Sequence, residues 1–185
     1  MGGNAMQNGD IRLVPASESL APAVAGYYRR NREFLKPFDP AREEAFFTLE
    51  HQREILRAEE AARAAKAGFR FYIVPVDGPE TVIGSIGLNN IVWGAFRSAF
   101  LGYKLDAAYL NRGYMTAAVG MVVQYAFAEA GLHRVEANVM PRNKPSLRVL
   151  EKNGFVNEGL SKYYLNINGV WEDHVHMVRI NFAMH

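Results

Sequence analysis

Residues 98–139 constrain the fold more than any other part of the chain. An alternating run, a glycine turn, one long apolar helical stretch and a second alternating run follow each other without interruption. In Ser98–Leu105, Leu101, Tyr103 and Leu105 fall on one face of an extended strand, and Phe100, Gly102 and Lys104 on the other. The stretch Y-L-N-R-G-Y-M-T-A-A, positions 109 to 118, then turns the chain. Beyond it Val119, Val122, Val123, Ala126 and Phe127 recur at helical spacing, and Gly131 stands where a left-handed helix end belongs. Arg134–Val139 is extended again. Strand and helix patterns follow each other through this stretch, as in the mixed α/β (α+β) class.

The flanking segments extend that plan. Ile11, Leu13 and Pro15 alternate with polar neighbours and suit a short first strand. Residues 19–34 carry Leu20, Val24 and Tyr27 or Tyr28 at helical spacing, until Lys36-Pro37 and Asp39-Pro40 interrupt them. Residues 42–66 are charge-rich helix formers closed by Gly68, so two helices joined by a proline elbow are expected. Residues 69–76 and 82–91 read as a hairpin about Asp77-Gly78-Pro79. Asn143-Lys144-Pro145-Ser146 opens a further helix with proline in its first turn, and Asn153-Gly154-Phe155 ends it. Residues 163–167 and Val170–Ile180 form a closing hairpin about Asn168-Gly169. The expected core sheet is a mostly antiparallel meander in a single domain of residues 6–185. Residues 1–5 are set aside as a leader, because Met6 reads as a second start.

Composition removes several function classes. The 21 Lys and Arg are interspersed with 19 Asp and Glu for a net charge of +2, so there is no basic stripe of the kind nucleic acid requires. The chain has no cysteine, which excludes disulfides, thiolate nucleophiles and Cys-based metal sites together. His174 and His176 share one strand face, but no third ligand accompanies them and no metal is expected. No signal-peptide pattern or membrane-length apolar run is present, and a cytoplasmic protein is the expectation.

The decapeptide at 109–118 carries the chemistry. A glycine between strand and helix lets successive backbone N–H groups converge at the positive end of the helix dipole, a corner suited to an anion such as a pyrophosphate. Gly113 lets the anion approach the backbone, Arg112 adds charge beside the amides, and Thr116 offers a hydroxyl and a cap for the first turn. Neither G-x-x-x-x-G-K-[ST] nor G-x-G-x-x-G occurs, so the common nucleotide folds are disfavoured. Taken alone, the signal is weak, because strand-glycine-helix turns are common and most bind no anion.

Four ordered motifs go further. Gly102-Tyr103-Lys104-Leu105, then Asn111-Arg112-Gly113-Tyr114-Met115-Thr116, then His133-Arg134-Val135-Glu136-Ala137-Asn138-Val139, and finally residues 143–155, N-K-P-S-L-R-V-L-E-K-N-G-F, resemble the GNAT N-acetyltransferase superfamily. Within it they resemble the RimJ/RimL branch, the ribosomal-protein alanine N-acetyltransferases. The likeness runs in order from about residue 10 to about residue 180. The superfamily's [QR]-x-x-G-x-[GA] loop falls on Leu110 to Met115, with Leu in the leading polar position, Met in the final small one, and Asn111 where the branch usually has glycine. Asparagine tolerates the left-handed turn. Met115 has to point away from a bound pyrophosphate.

The resemblance implies a GNAT acyl-CoA N-acyltransferase fold whose fourth and fifth strands splay apart. Acetyl-CoA would lie in that wedge as co-substrate, between Ser98–Leu105 and Arg134–Val139. Its implied binding residues are Tyr103, Lys104, Leu105, Arg112, Gly113, Tyr114, Met115, Thr116, Asn143 and Ser146. A backbone N–H near Lys104 or Leu105 would hold the oxyanion, and Ser146 would protonate the departing thiolate. Glu136, mid-strand among apolar neighbours and facing the same way as Asn138, is the candidate base, with an ion pair fixing strand and helix as the plainer alternative. The elbow at 31–38 is the implied acceptor wall, with Trp93 and Tyr164 near it. The acceptor is a primary amine: a protein N-terminus, ribosomal in the branch's namesakes, or a polyamine, amino acid or antibiotic. A CoA-binding module with little turnover and a ribosome- or RNA-associated factor are the rivals. The aromatic elbow and terminal hairpin suggest a homodimer.

Overall fold

A computed structural model of the chain describes residues 5–184. Among them eight strands form one sheet: β1 (Met6–Asn8), β2 (Ile11–Pro15), β3 (Phe69–Pro75), β4 (Gly84–Val92), β5 (Ser98–Leu105), β6 (Arg134–Val139), β7 (Val156–Ile167) and β8 (Val170–Ile180). Their order across the sheet is β1-β2-β3-β4-β5-β6-β8-β7. Only β5 and β6 run parallel; every other neighbouring pair is antiparallel. The helices are α1 (Ala21–Arg30), α2 (Arg32–Leu35), α3 (Leu49–Ala64), α4 (Tyr114–Ala128) and α5 (Lys144–Lys152).

Two cores lie on opposite faces. On one, α4 buries Met115, Ala118, Val119 and Val122 against Ile86, Leu88, Leu101 and Val135, and α5 adds Leu150. On the other, Val24 and Tyr27 of α1 and Leu56 of α3 pack on Tyr72 and Val74. The meander, the apolar helix, its Gly131 ending at φ 70° and the Asn168-Gly169 turn all stand where the residue pattern puts them.

The departures have local causes. The expected first long helix breaks at Asn31, which is 1 % exposed; its amide donates to Tyr27 O at 3.0 Å and accepts from Ala107 N–H at 3.0 Å. A side chain satisfied in this way competes with the helical ladder. The helix expected over 42–66 begins only at Leu49. Thr48 is extended there, its hydroxyl accepts from His51 N–H at 3.3 Å, and the preceding Glu44–Phe47 forms a 3-10 turn. At the far end Lys66, not Gly68, takes the left-handed conformation, at φ 54°. The closing hairpin starts earlier than expected, at Val156, because an irregular register about Gly159 and Tyr163 hides its alternation. Strand β1 was not anticipated; it pairs with β2 about Gly9, and the splayed strands are therefore the fifth and sixth in chain order. Four of the five leader residues lie outside the described residues.

The sheet is tight where it supports β5. A Cβ built on Gly84 would stand 2.6 Å from Lys104 O and 3.0 Å from Ile73 Cδ1. Gly84→Ala must therefore push the β5 backbone aside. Overpacking of this kind costs about 2 kcal/mol, and a thermal melt should fall by about 4–8 °C; an unchanged melt would mean that β5 yields freely.

Candidate active site

The site begins with a fork. Strands β5 and β6 pair only at Ser98↔Arg134, Ala99↔Val135 and Phe100↔Glu136. Past Phe100, β5 continues to Leu105 with β4 on one side and no β6 partner on the other. That edge offers backbone N–H and C=O groups to an extended, amide-containing ligand, which can add to it as a strand would.

The two faces of the fork differ in chemistry. Tyr103 sits on the α4–α5 face, where its hydroxyl lies 2.8 Å from Ser146 Oγ and 3.2 Å from Ser146 O. Burial pushes the Tyr103 phenol up to about 12, with the Ser146 hydrogen bond opposing. Ser146 is held in the first turn of α5, where Asn143 caps the helix by accepting from Ser146 N–H at 3.3 Å. Leu105 is in the core of this same face.

Lys104 points to the other face, as the alternation of β5 requires. Its ammonium pairs with Asp39 of the elbow and lies 5.8 Å from the centre of the Tyr28 ring. Glu136 shares this face, being the parallel partner of Phe100. Its carboxylate is ion-paired, as in the plainer alternative, though within the sheet and not to a helix: Arg134 Nε stands 3.1 Å from one oxygen and His176 Nδ1 3.7 Å from the other. Asn138, opposite His176 in the ladder, donates to Tyr164 Oη at 3.2 Å, while its Oδ1 is buried without a partner. Tyr164 lies edge-on to His176 at 5.3 Å. His174 is 4 % exposed and lies 3.0 Å from Glu172 O through Nδ1; among the described residues no group of three metal-ligating side chains occurs.

The decapeptide turn stands ahead of α4. Asn111 and Gly113 are both left-handed, at φ 60° and 78°. The first helical bond is Ala117 N–H to Gly113 O at 3.0 Å, which leaves the amides of Tyr114, Met115 and Thr116 ahead of the ladder. Nothing lies within 4 Å of where a Gly113 Cβ would stand. This open corner, set at a helix N-terminus and beside the unpaired β5 edge, fits a pyrophosphate followed by an extended chain. Met115 is 7 % exposed and turned into the core, so its length does not obstruct the corner.

Two assignments in this loop change. Thr116 does not cap α4; the cap position is Gly113, without a side-chain bond, and Thr116 instead accepts from Asn153 Nδ2 through its carbonyl at 3.1 Å. The Arg112 guanidinium folds back over Tyr109, 5.1 Å from its ring centre, and donates to Ala108 O at 3.1 Å.

The elbow encloses a cavity of about 260 Å³ bounded by Tyr28, Glu33, Asp39, Arg42, Phe46 and Asn168, among others. Asn168 Nδ2 donates to Lys36 O at 2.6 Å, tying the closing hairpin to the elbow. Trp93 does not approach it, donating instead to Lys66 O at 3.0 Å near the end of α3. Asp39 escapes a reading of the sequence, where Asp-Pro looks like an ordinary turn.

Comparison with known proteins agrees with this geometry. The family model for the acetyltransferase (GNAT) domain matches residues 10–156. The chain is 42 % identical to the probable N-acetyltransferase YjcK of Bacillus subtilis (strain 168) over 171 residues, 92 % of this chain and 91 % of that one. It is 36 % identical to the [ribosomal protein uS5]-alanine N-acetyltransferase of Escherichia coli (strain K12) over 166 residues, 89 % and 84 % of the two chains. Among solved structures, the ribosomal-protein-S5-alanine acetyltransferase from Vibrio fischeri superposes with a TM-score of 0.93 at 34 % identity, covering 97 % of this chain and 98 % of that one. Mycobacterium smegmatis RimJ in complex with CoA-disulfide gives 0.87 at 29 % identity, covering 94 % and 83 %. The chain belongs to the GNAT acetyltransferase family, and its relatives place it beside the RimJ/RimL enzymes.

Proposed function

We propose that this N-acetyltransferase takes acetyl from acetyl-CoA and delivers it to the α-amino group of a protein N-terminus, by direct attack of the amine in a ternary complex. The observation that carries the reading is the fork itself. It opens between a face bearing Lys104, Glu136 and Asn138 and a face bearing Tyr103 and Ser146. An amine can enter from one side while a proton is supplied to the leaving sulfur from the other. The names of the ribosomal-protein relatives support a protein acceptor.

Acetyl-CoA, when bound, supplies a thioester carbonyl carbon for attack and a thiolate that leaves. The turn at Asn111 to Thr116 would hold its pyrophosphate by backbone amides, the free edge of β5 its amide chain, and Asn143 with Ser146 the border of the reacting end. A β5 N–H near Lys104 or Leu105 would stabilise charge developing on the carbonyl oxygen. Glu136 takes the amine's proton through water, and Ser146, backed by Tyr103, gives one to sulfur.

The reading is tested by thiol release from acetyl-CoA across an amine panel: an alanine-initiated peptide, a peptide whose only amine is a lysine, a polyamine, a free amino acid and an aminoglycoside. An α-amine titrates near ~8 and a lysine near ~10.4, so the first peptide should exceed the second by about tenfold or more at neutral pH. A polyamine or aminoglycoside turned over faster than either peptide would replace this reading, and calorimetric binding of acetyl-CoA without release on any amine would favour a binding module. Glu136→Gln should lower kcat by about tenfold, below the usual range for a base because an α-amine is already partly neutral. Acetyl-CoA affinity, measured by calorimetry, should hold; unaltered kcat would leave Glu136 only its pairing with Arg134 and His176.

A further inference from the structure

Lys104 is a partly buried amine whose side chain has no task in the reaction as described. Its side chain is 25 % exposed and that of Asp39 13 %, and together they join the elbow to the stretch of β5 that has lost its β6 neighbour. Asp39 also lines the cavity enclosed by the elbow. At about 260 Å³ that space is far larger than a packing void. It is smaller than the usual range of drug-sized pockets, which suits the first residue or two of a peptide. One carboxylate thus faces both an internal ammonium and a space of peptide-end size.

We infer that the acceptor's α-ammonium docks on Asp39 beside Lys104, and that the Lys104 charge drives it toward the neutral, nucleophilic form. The inference rests on the α-amine reading given above and names the residues that select for it. Two ammonium groups sharing one carboxylate repel, and the one that titrates more readily gives up its proton. For an α-amine near ~8 a shift of one unit raises the neutral share at pH 7 from about a tenth to about half, whereas a lysine near ~10.4 shifted equally stays protonated.

The surroundings suit this division of labour. Burial lowers the Lys104 pKa while Asp39 opposes, favouring the charged lysine. The other titratable and charged groups around the pair are Tyr27 and Tyr28 of α1, Arg70 of β3, and Arg32, Glu33, Lys36 and Arg42, which line the cavity with Asp39. Burial raises Tyr28, which stays a neutral phenol. Arg70 is paired with Glu59 of α3 at 3.2 Å, and Arg42 lies over the Phe46 ring, 4.6 Å from its centre. Glu136 lies on the same sheet face and is the base to which the function proposed above assigns the released proton, through water.

The test uses the whole protein with acetyl-CoA and an alanine-initiated tetrapeptide, comparing Lys104→Met, Lys104→Arg and Asp39→Asn with the wild type. Lys104→Met keeps the apolar stem and removes the charge. Its kcat/KM for the peptide should fall about tenfold at pH 6 and rejoin the wild type by about pH 9, a one-unit upward move of the acid limb. Lys104→Arg should restore the limb. Asp39→Asn should raise peptide KM about tenfold while the KM for acetyl-CoA holds. If the variants change only the thermal midpoint and leave peptide KM and the acid limb in place, the pair merely pins the elbow and the inference is overturned. A wild type that acetylates no amine would instead sink the function proposed above, so the two failures are separable.

Discussion

Ser146→Ala should reduce kcat by about 100-fold, or about 2.7 kcal/mol of barrier, with acetyl-CoA binding little changed. The argument is positional. Asn143 fixes the backbone of Ser146 in the first turn of α5, and the hydroxyl stands 2.8 Å from a phenol that burial keeps protonated. On the proposed mechanism a proton given up by Ser146 Oγ would be replaced from Tyr103 Oη, and the pair would act as a two-step donor. Rates in mixtures of light and heavy water would check it. The wild type should lose rate through two exchanging protons, and Tyr103→Phe should remove one of them while sparing the fold. A full-rate Ser146→Ala enzyme would return that serine to an ordinary place in a helix first turn.

Gly113→Ala should weaken acetyl-CoA binding by about tenfold in calorimetry, with kcat at saturation largely kept. Gly113 is the cap residue of α4 at φ 78°, where a Cβ costs about 1–2 kcal/mol. The space that Cβ would enter is open, so protein atoms do not forbid the substitution. The penalty therefore falls on the turn that presents the amides of residues 114–116, and on whatever anion occupies the corner. Unchanged affinity would detach the corner from the pyrophosphate. Two of the loop's departures from its family pattern cost the geometry little, since Asn111 takes the left-handed turn at φ 60° and Met115 lies in the core.

The sequence by itself determined the elements with strong local codes. Alternation placed β5 and β6, helical spacing placed α4, and the glycine, asparagine and proline signals at 113, 131, 143–146 and 168–169 placed the turns and caps. These are short-range effects, legible because φ freedom, capping and side-chain period act within a few residues. The four motifs brought the family with them. Local codes gave no warning of the Asn31 break, because its side chain is held by Ala107, 76 residues on, whereas the Thr48 cap on His51 N–H is a local signal that the charge-rich run from residue 42 masked. Only the tertiary structure decided which groups meet: that β5 and β6 part after three pairs, that Asp39 reaches Lys104 across 65 residues, that Glu136 lies between Arg134 and His176, and that Arg112 folds onto Tyr109. The physical reason is that a charge takes its protonation state and partners from the groups packed around it, and residues far apart in the chain become its neighbours only when the sheet and helices have closed.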